Sequence, residues 1–187
     1  MVKRATLELR KRDVRLKDVP LFYKGLIENK MSVGVHKEQG EENLKHALWN
    51  EFGTNHITGH KYKFRKLLAD GHFKNIIIPA GKDISVPMRP FVRIYFHPTF
   101  LNRVRKYFQD ELNNCFKAGL KAPKSTAVNL LLKSAKFTEE QMKKIASGDG
   151  VTFRPNASLT VAIKGFDQPL YQTGKMINAI KGKVKHR

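Results

Sequence analysis

The chain has 187 residues, with 36 Lys+Arg against 16 Asp+Glu, a formal net charge of +20 and a sequence pI near 10.2. Its length suits one domain that buries a core without disulfide or metal staples, and 41% apolar residues with 10% aromatics exclude a disordered chain. The charge attracts polyanions (nucleic acid, an acidic protein surface, an anionic membrane) without choosing among them, and the lack of any apolar run near ~18 residues excludes a transmembrane helix.

The N-terminus, MVKRATLELRKRDVRLKDV, has charges but lacks the apolar centre of a signal peptide. Residues 3–17 hold seven Lys/Arg against Glu8 and Asp13, which reads as a basic arm over about 1–17. VPLFYKGLIENK (19–30) spaces Leu21, Phe22, Leu26 and Ile27 as a helix does, and MSVGVH (31–36) reads as a short strand. EENLKHALWNEF (41–52) predicts a helix with acids in its first turn and an apolar stripe of Leu44, Ala47, Leu48 and Phe52. Gly53 stands where a helix ends in a left-handed turn.

Residues 60–81 predict a hairpin: Tyr62 and Phe64 alternate with Lys61, Lys63 and Arg65, and Asp70-Gly71 is a tight-turn signal before Ile76–Ile78. ISVPMRPFVRIYF (84–96) reads as an edge strand because of its two prolines. PTFLNRVRKYFQDELNNCFKAG (98–119) is the clearest helix, with Phe100, Leu101, Val104, Phe108, Leu112 and Phe116 on one stripe. TAVNLLLKSAKFTEEQMKKIASG (126–148) is also helical. It is expected to break near Phe137, where Thr138 and Gln141 make a capping-box pattern. VTFRPNASLTVAIKG reads as a loop with a strand or short helix, and Lys181–Arg187 as a basic tail. The fold class expected is α+β: a small, mostly antiparallel sheet packed against the long helix 98–116, with shorter helices flanking it, in a single domain.

Three groups invite a chemical reading. Thr173-Gly174-Lys175 looks like the end of a phosphate loop, but Gly165 lies nine residues before Gly174 and Met176 replaces the metal-binding hydroxyl. A helix start capped by Thr173, with Met176, Ile177 and Ile180 apolar, describes it better. His56 and His60 fall in a Gly-containing stretch without neighbouring carboxylates, so solvated loop histidines are expected and no metal or cofactor is assigned. The lone Cys115 suits a reducing cytoplasm and reads as a half-buried helix residue rather than a nucleophile. The basic-aromatic run 60–66 offers Lys61, Lys63, Arg65 and Lys66 as an exposed contact for a polyanion or a protein partner. No catalytic constellation emerges, so the chain is read as a non-enzyme.

NEFGT (50–54), VPMRPFVR (86–93) and RPNASLTVAIKGFDQPLYQTGKMINAI (154–180), in that order, resemble the tail-completion or neck (minor tail) proteins of tailed bacteriophages. With the VGVH strand and the 98–116 helix, the resemblance spans about three quarters of the chain. Met88, Gln172 and Ala179 depart from the family's usual small residue, Asp and Ser, and the hairpin over about 56–82 reads as an insertion. The resemblance implies a virion protein made in the bacterial host cytoplasm, forming a ring of identical subunits, taken as a hexamer. That ring would join the tail terminator or tail tube to the head connector, with no membrane partner. Its basic residues would either line a lumen through which DNA passes or meet acidic surfaces of neighbouring rings, the second being the reading for the N-terminal arm and C-terminal tail. It also implies structural and interface roles for Asn50, Glu51, Phe52, Gly53, Arg89, Pro90, Phe91, Leu170, Thr173 and Gly174. The alternative reading is a basic nucleic-acid-binding protein, ribosome- or DNA-associated.

Overall fold

A computed structural model describes residues 15–67, 73–156, 161, 165, 167–170 and 174–187. The class is α+β, with six helices and two small two-stranded antiparallel sheets among the described residues. In chain order the elements are α1 (Asp18–Ile27), β1 (Asn29–Val35), a 3-10 turn (Lys37–Gln39), α2 (Glu41–Phe52), β2 (Tyr62–Leu67), β3 (Phe73–Ile78), α3 (Phe91–Tyr95), α4 (Pro98–Lys117), α5 (Pro123–Ala146), α6 (Lys175–Asn178) and β4 (Ile180–His186). β1 pairs with β4, and β2 with β3.

The chain divides into two compact units. Unit 1 comprises Met1–Val33, Leu101–Thr138 and Gly182–Arg187, and unit 2 comprises Gly34–Phe100 and Glu139–Lys181. Unit 1 is centred on Phe22, Leu120, Ala127 and Leu130, with Phe108, Leu112, Cys115 and Phe116 of α4 packed against them. Burying a side chain the size of Phe22 contributes ~2–3 kcal/mol. Cys115 is half-buried, and that desolvation pushes its thiol above the usual range.

Small residues let neighbours approach α5 closely. A Cβ on Gly25 would lie 2.9 Å from the Ala127 Cβ, and one on Gly182 would lie 2.4 Å from the Ala135 carbonyl oxygen. The helix that meets strand β4 is therefore α5, whereas the sequence pointed to 98–116.

Four expectations are corrected. α5 runs unbroken through Phe137, whose ring stacks on Tyr107 at 4.1 Å between centroids. Ala127, Leu130, Ser134, Thr138, Met142 and Ile145 recur at helical spacing and are all buried, so tertiary burial overrides the local capping pattern. The Thr138 hydroxyl, expected as a cap, is buried with no hydrogen-bond partner among the described residues. Phe91–Tyr95 is helix rather than strand. On α2 the buried face carries Ala47 and Glu51, while Leu48 and Phe52 are exposed. Lys181–Arg187, read as a tail, lies mostly in β4, and the Arg187 amide donates to the Glu28 carbonyl at 2.8 Å. The basic arm lies outside the described residues up to position 14, as does the Asp70-Gly71 turn.

Gly182→Ala should destabilise the protein by ~1–3 kcal/mol, because backbone of α5 and not a flexible side chain must move. Urea unfolding measures it; an unchanged midpoint would mean that β4 does not seat on α5.

Candidate functional site

Unit 2 brings the three quoted segments together. Asn50 and Glu51 occupy the last turn of α2, and the chain then turns at Gly53 with φ 75°. A Cβ at Gly53 would lie 3.1 Å from the Val86 carbonyl oxygen and 3.2 Å from the Met88 nitrogen, so this close approach also requires glycine. The Thr54 amide donates to the Val86 carbonyl at 2.9 Å, and the Val86 amide returns a 2.9 Å bond to the Thr54 hydroxyl. The Arg89 amide donates to the Asn50 carbonyl at 2.6 Å. NEFGT and VPMRPFVR thus run side by side.

Glu51 explains why α3 forms. Its carboxylate, only 7% exposed, accepts the Val92 amide at 2.9 Å and the Arg93 amide at 3.1 Å. These are first-turn donors of a helix that starts just after Pro90, where no side chain of its own caps it. The Arg93 Nε completes the set at 2.9 Å, and its Nη2 donates to the Glu51 carbonyl. The Arg93 guanidinium also lies over the Phe52 ring, 5.4 Å from its centroid.

Arg89 carries the connection onward. Buried to 4% exposure, it donates from Nε to the Arg154 carbonyl at 2.8 Å and from Nη2 to the Pro155 carbonyl at 2.9 Å and the Asn156 Oδ1 at 3.2 Å. Asn156 in turn donates its amide and its Nδ2 to Asp167 Oδ1, both at 2.9 Å. Burial lowers the Arg89 pKa from its ordinary value, Asp167 opposes this, and Arg154 adds to it; the guanidinium keeps its charge.

The last segment closes on the same helix. α6 buries Met176 and Ile177, and the Asn50 Nδ2 lies 3.8 Å from the Met176 sulfur. Gly174, with φ 73°, holds the N-cap position assigned to Thr173, which lies outside the described residues. Leu170 is buried at φ 61°, a left-handed conformation that costs a non-glycine residue ~1–3 kcal/mol and persists only where packing holds it. Phe91, to which the resemblance gave a structural or interface role, is 1% exposed and belongs to the core. Lys175 is exposed at the first position of a four-residue helix.

The sequence named Glu51, Arg89 and Gly53 but missed Arg93, Asn156 and Asp167. The signal for Arg93 was available, since PFVRIY places Phe91, Ile94 and Tyr95 at helical spacing directly after a proline. Among the remaining candidates, Lys61, Lys63 and Arg65 are exposed, while the side chain of Lys66 lies outside what is described. The His60 ring lies 4.3 Å from that of Tyr62, and the His56 amide donates to the Ser85 hydroxyl at 2.7 Å. Among the described residues no group of three or more His, Cys, Asp or Glu is placed to hold a metal ion. No helix among them is long and apolar enough to cross a membrane. No family model, curated protein or solved structure matches this chain.

Glu51→Ala should cost ~2–4 kcal/mol, because two part-buried amides and a guanidinium lose their acceptor together. Arg89→Ala should cost a similar ~2–4 kcal/mol and speed chymotryptic cleavage after Phe153, next to Arg154, whose carbonyl it holds. Equal cleavage rates in wild type and Arg89→Ala would show that this contact does not order the 154–156 segment.

Proposed function

We propose that this chain is a structural subunit of a tailed-phage neck, a tail-completion protein that joins the tail tube to the head connector as a ring. The observation that carries the reading is the Glu51–Arg93 and Arg89–Asn156–Asp167 network. It ties together the three sequence-distant segments on which the family resemblance rests. Segments that share only composition with a family have no reason to meet. Here they meet through charge-assisted hydrogen bonds centred on the buried Glu51 and Arg89, which suits a rigid framework better than a reacting centre.

The surroundings of the network also suit assembly. Trp49, Phe52, Met88 and Phe96 are exposed at 45%, 66%, 52% and 62%. Three of them adjoin Arg93: Phe52 beneath its guanidinium, Met88 with its sulfur 3.0 Å from Nη2, and Phe96 beside it in an open concavity with Ile94, His97 and Pro98. Aromatic residues, Met and Arg are enriched where proteins contact one another. A closed ring of identical subunits joins two different faces of each copy, and this face supplies one of them.

The chain should sediment as a monomer alone and form rings when mixed with the tail tube or connector on which it sits. Trp49→Ala combined with Phe52→Ala should leave the chain folded, with only the small loss of stability that an exposed cation–π contact contributes, and reduce the assembled fraction roughly tenfold or more, as loss of interface aromatics does. Electron microscopy of immunogold-labelled virions checks the location; label confined to a structure other than the tail or neck would sink the proposal.

A further inference from the structure

The β2–β3 hairpin carries a second, separate surface. Its base is clamped by Thr58, whose buried hydroxyl donates to the Pro79 carbonyl at 2.8 Å and accepts the Lys82 amide at 2.9 Å. The Thr58 amide donates to the Lys82 carbonyl, the Gly81 amide to the Thr58 carbonyl, and an antiparallel bridge joins Ile57 to Asp83. Above this base the strands pair in register, Tyr62 with Ile78, Lys63 with Ile77, Phe64 with Ile76 and Arg65 with Asn75.

That register sorts the hairpin into two faces. Ile78 is 5% exposed and its neighbour Ile77 is 51% exposed, so the Tyr62–Ile76–Ile78 side turns inward and the Lys63–Arg65–Asn75–Ile77 side turns to solvent. Lys61, Lys63 and Arg65 are all exposed and fall two residues apart. They make a straight cationic stripe with a repeat of ~6.8 Å, and Asn75 adds an amide across from Arg65. Lys66 belongs by register to the other side, opposite Lys74.

We propose that this outward face of the hairpin binds the phosphodiester backbone of duplex nucleic acid. Three properties select that partner over an acidic protein surface. The cations are evenly repeated along an extended segment, which suits a polymer whose charges are also evenly repeated, whereas acidic protein patches are irregular. A two-stranded β-ribbon has the width that the major groove of B-DNA admits. The whole chain carries +20, which raises encounter rates with a long polyanion of uniform sign. The surface is distinct from the apolar face around Arg93, so its role stands or falls separately from the ring.

The test is fluorescence anisotropy of the full chain with a labelled duplex of mixed sequence over a salt titration. Lys61→Ala/Lys63→Ala/Arg65→Ala should bind roughly 10- to 100-fold more weakly, and its log Kd against log salt slope should be shallower by about 2.7, the loss of three phosphate contacts. Its melting temperature and its ring assembly should be unchanged. Lys106→Ala/Lys117→Ala/Lys121→Ala removes the same charge from exposed positions of α4 and the segment after it, and should change the slope much less. Equal losses in the two triple variants would assign binding to net charge and overturn the proposal. So would an equal loss of binding to poly-glutamate of matched charge, which would assign the face to an acidic protein.

Discussion

Taking the Glu51 carboxylate out of water costs several kcal/mol, and unit 2 is arranged so that its oxygens meet donors from one short segment: the amides of Val92 and Arg93 and the Arg93 guanidinium. That requirement places the start of α3 against the end of α2. It also aligns residues 86–89 with residues 50–54, because Gly53 leaves no Cβ between the strands of chain. Arg89 is thereby turned inward, where the Arg154 and Pro155 carbonyl oxygens and the Asn156 amide oxygen accept its hydrogen bonds. A buried cation is costly without its acceptors, so the 154–156 segment is held as well.

Much of this was legible in the sequence, and the reasons for the rest are physical. The limits of α2 follow from acids at one end and glycine at the other, both local signals. The strands of the hairpin follow from the alternation of Tyr62 and Phe64 with Lys63 and Arg65, again local. The identity of the buried face of α2 was not legible, because hydrophobicity favours Leu48 and Phe52 over Glu51. The carboxylate wins only because its donors arrive from residues about forty positions away, which no window of sequence contains. The same holds for α5: a capping pattern at Thr138 is a true local preference, overruled by partners along one face of the helix. β4 was missed because three lysines in seven residues read as solvated charge, whereas the strand needs only Ile180, Gly182 and Val184 on its other side.

The two surfaces of unit 2 differ in what holds them. The residues around Arg93 rest on the hydrogen bonds of the buried Glu51 carboxylate, so their geometry resists small perturbations. The outward face of the hairpin rests on a two-stranded ribbon and one clamped threonine, and an isolated ribbon is marginal in water by itself. A rigid apolar face suits a permanent partner of fixed shape. A charged ribbon suits a partner recognised by its repeating charge rather than by its contour.

The interleaving of the two units has a consequence for how the protein is made. Unit 1 takes its segments from both sides of unit 2, and unit 2 resumes after α5 has begun. Neither completes its core from a contiguous stretch: Phe22 must wait for Ala127 and Leu130, and Ala135 waits for Gly182. Closing such long loops slows folding and prolongs exposure of apolar intermediates. The order in which the segments are made is therefore not the order in which the cores close, and this chain should fold more slowly than its helix content alone implies.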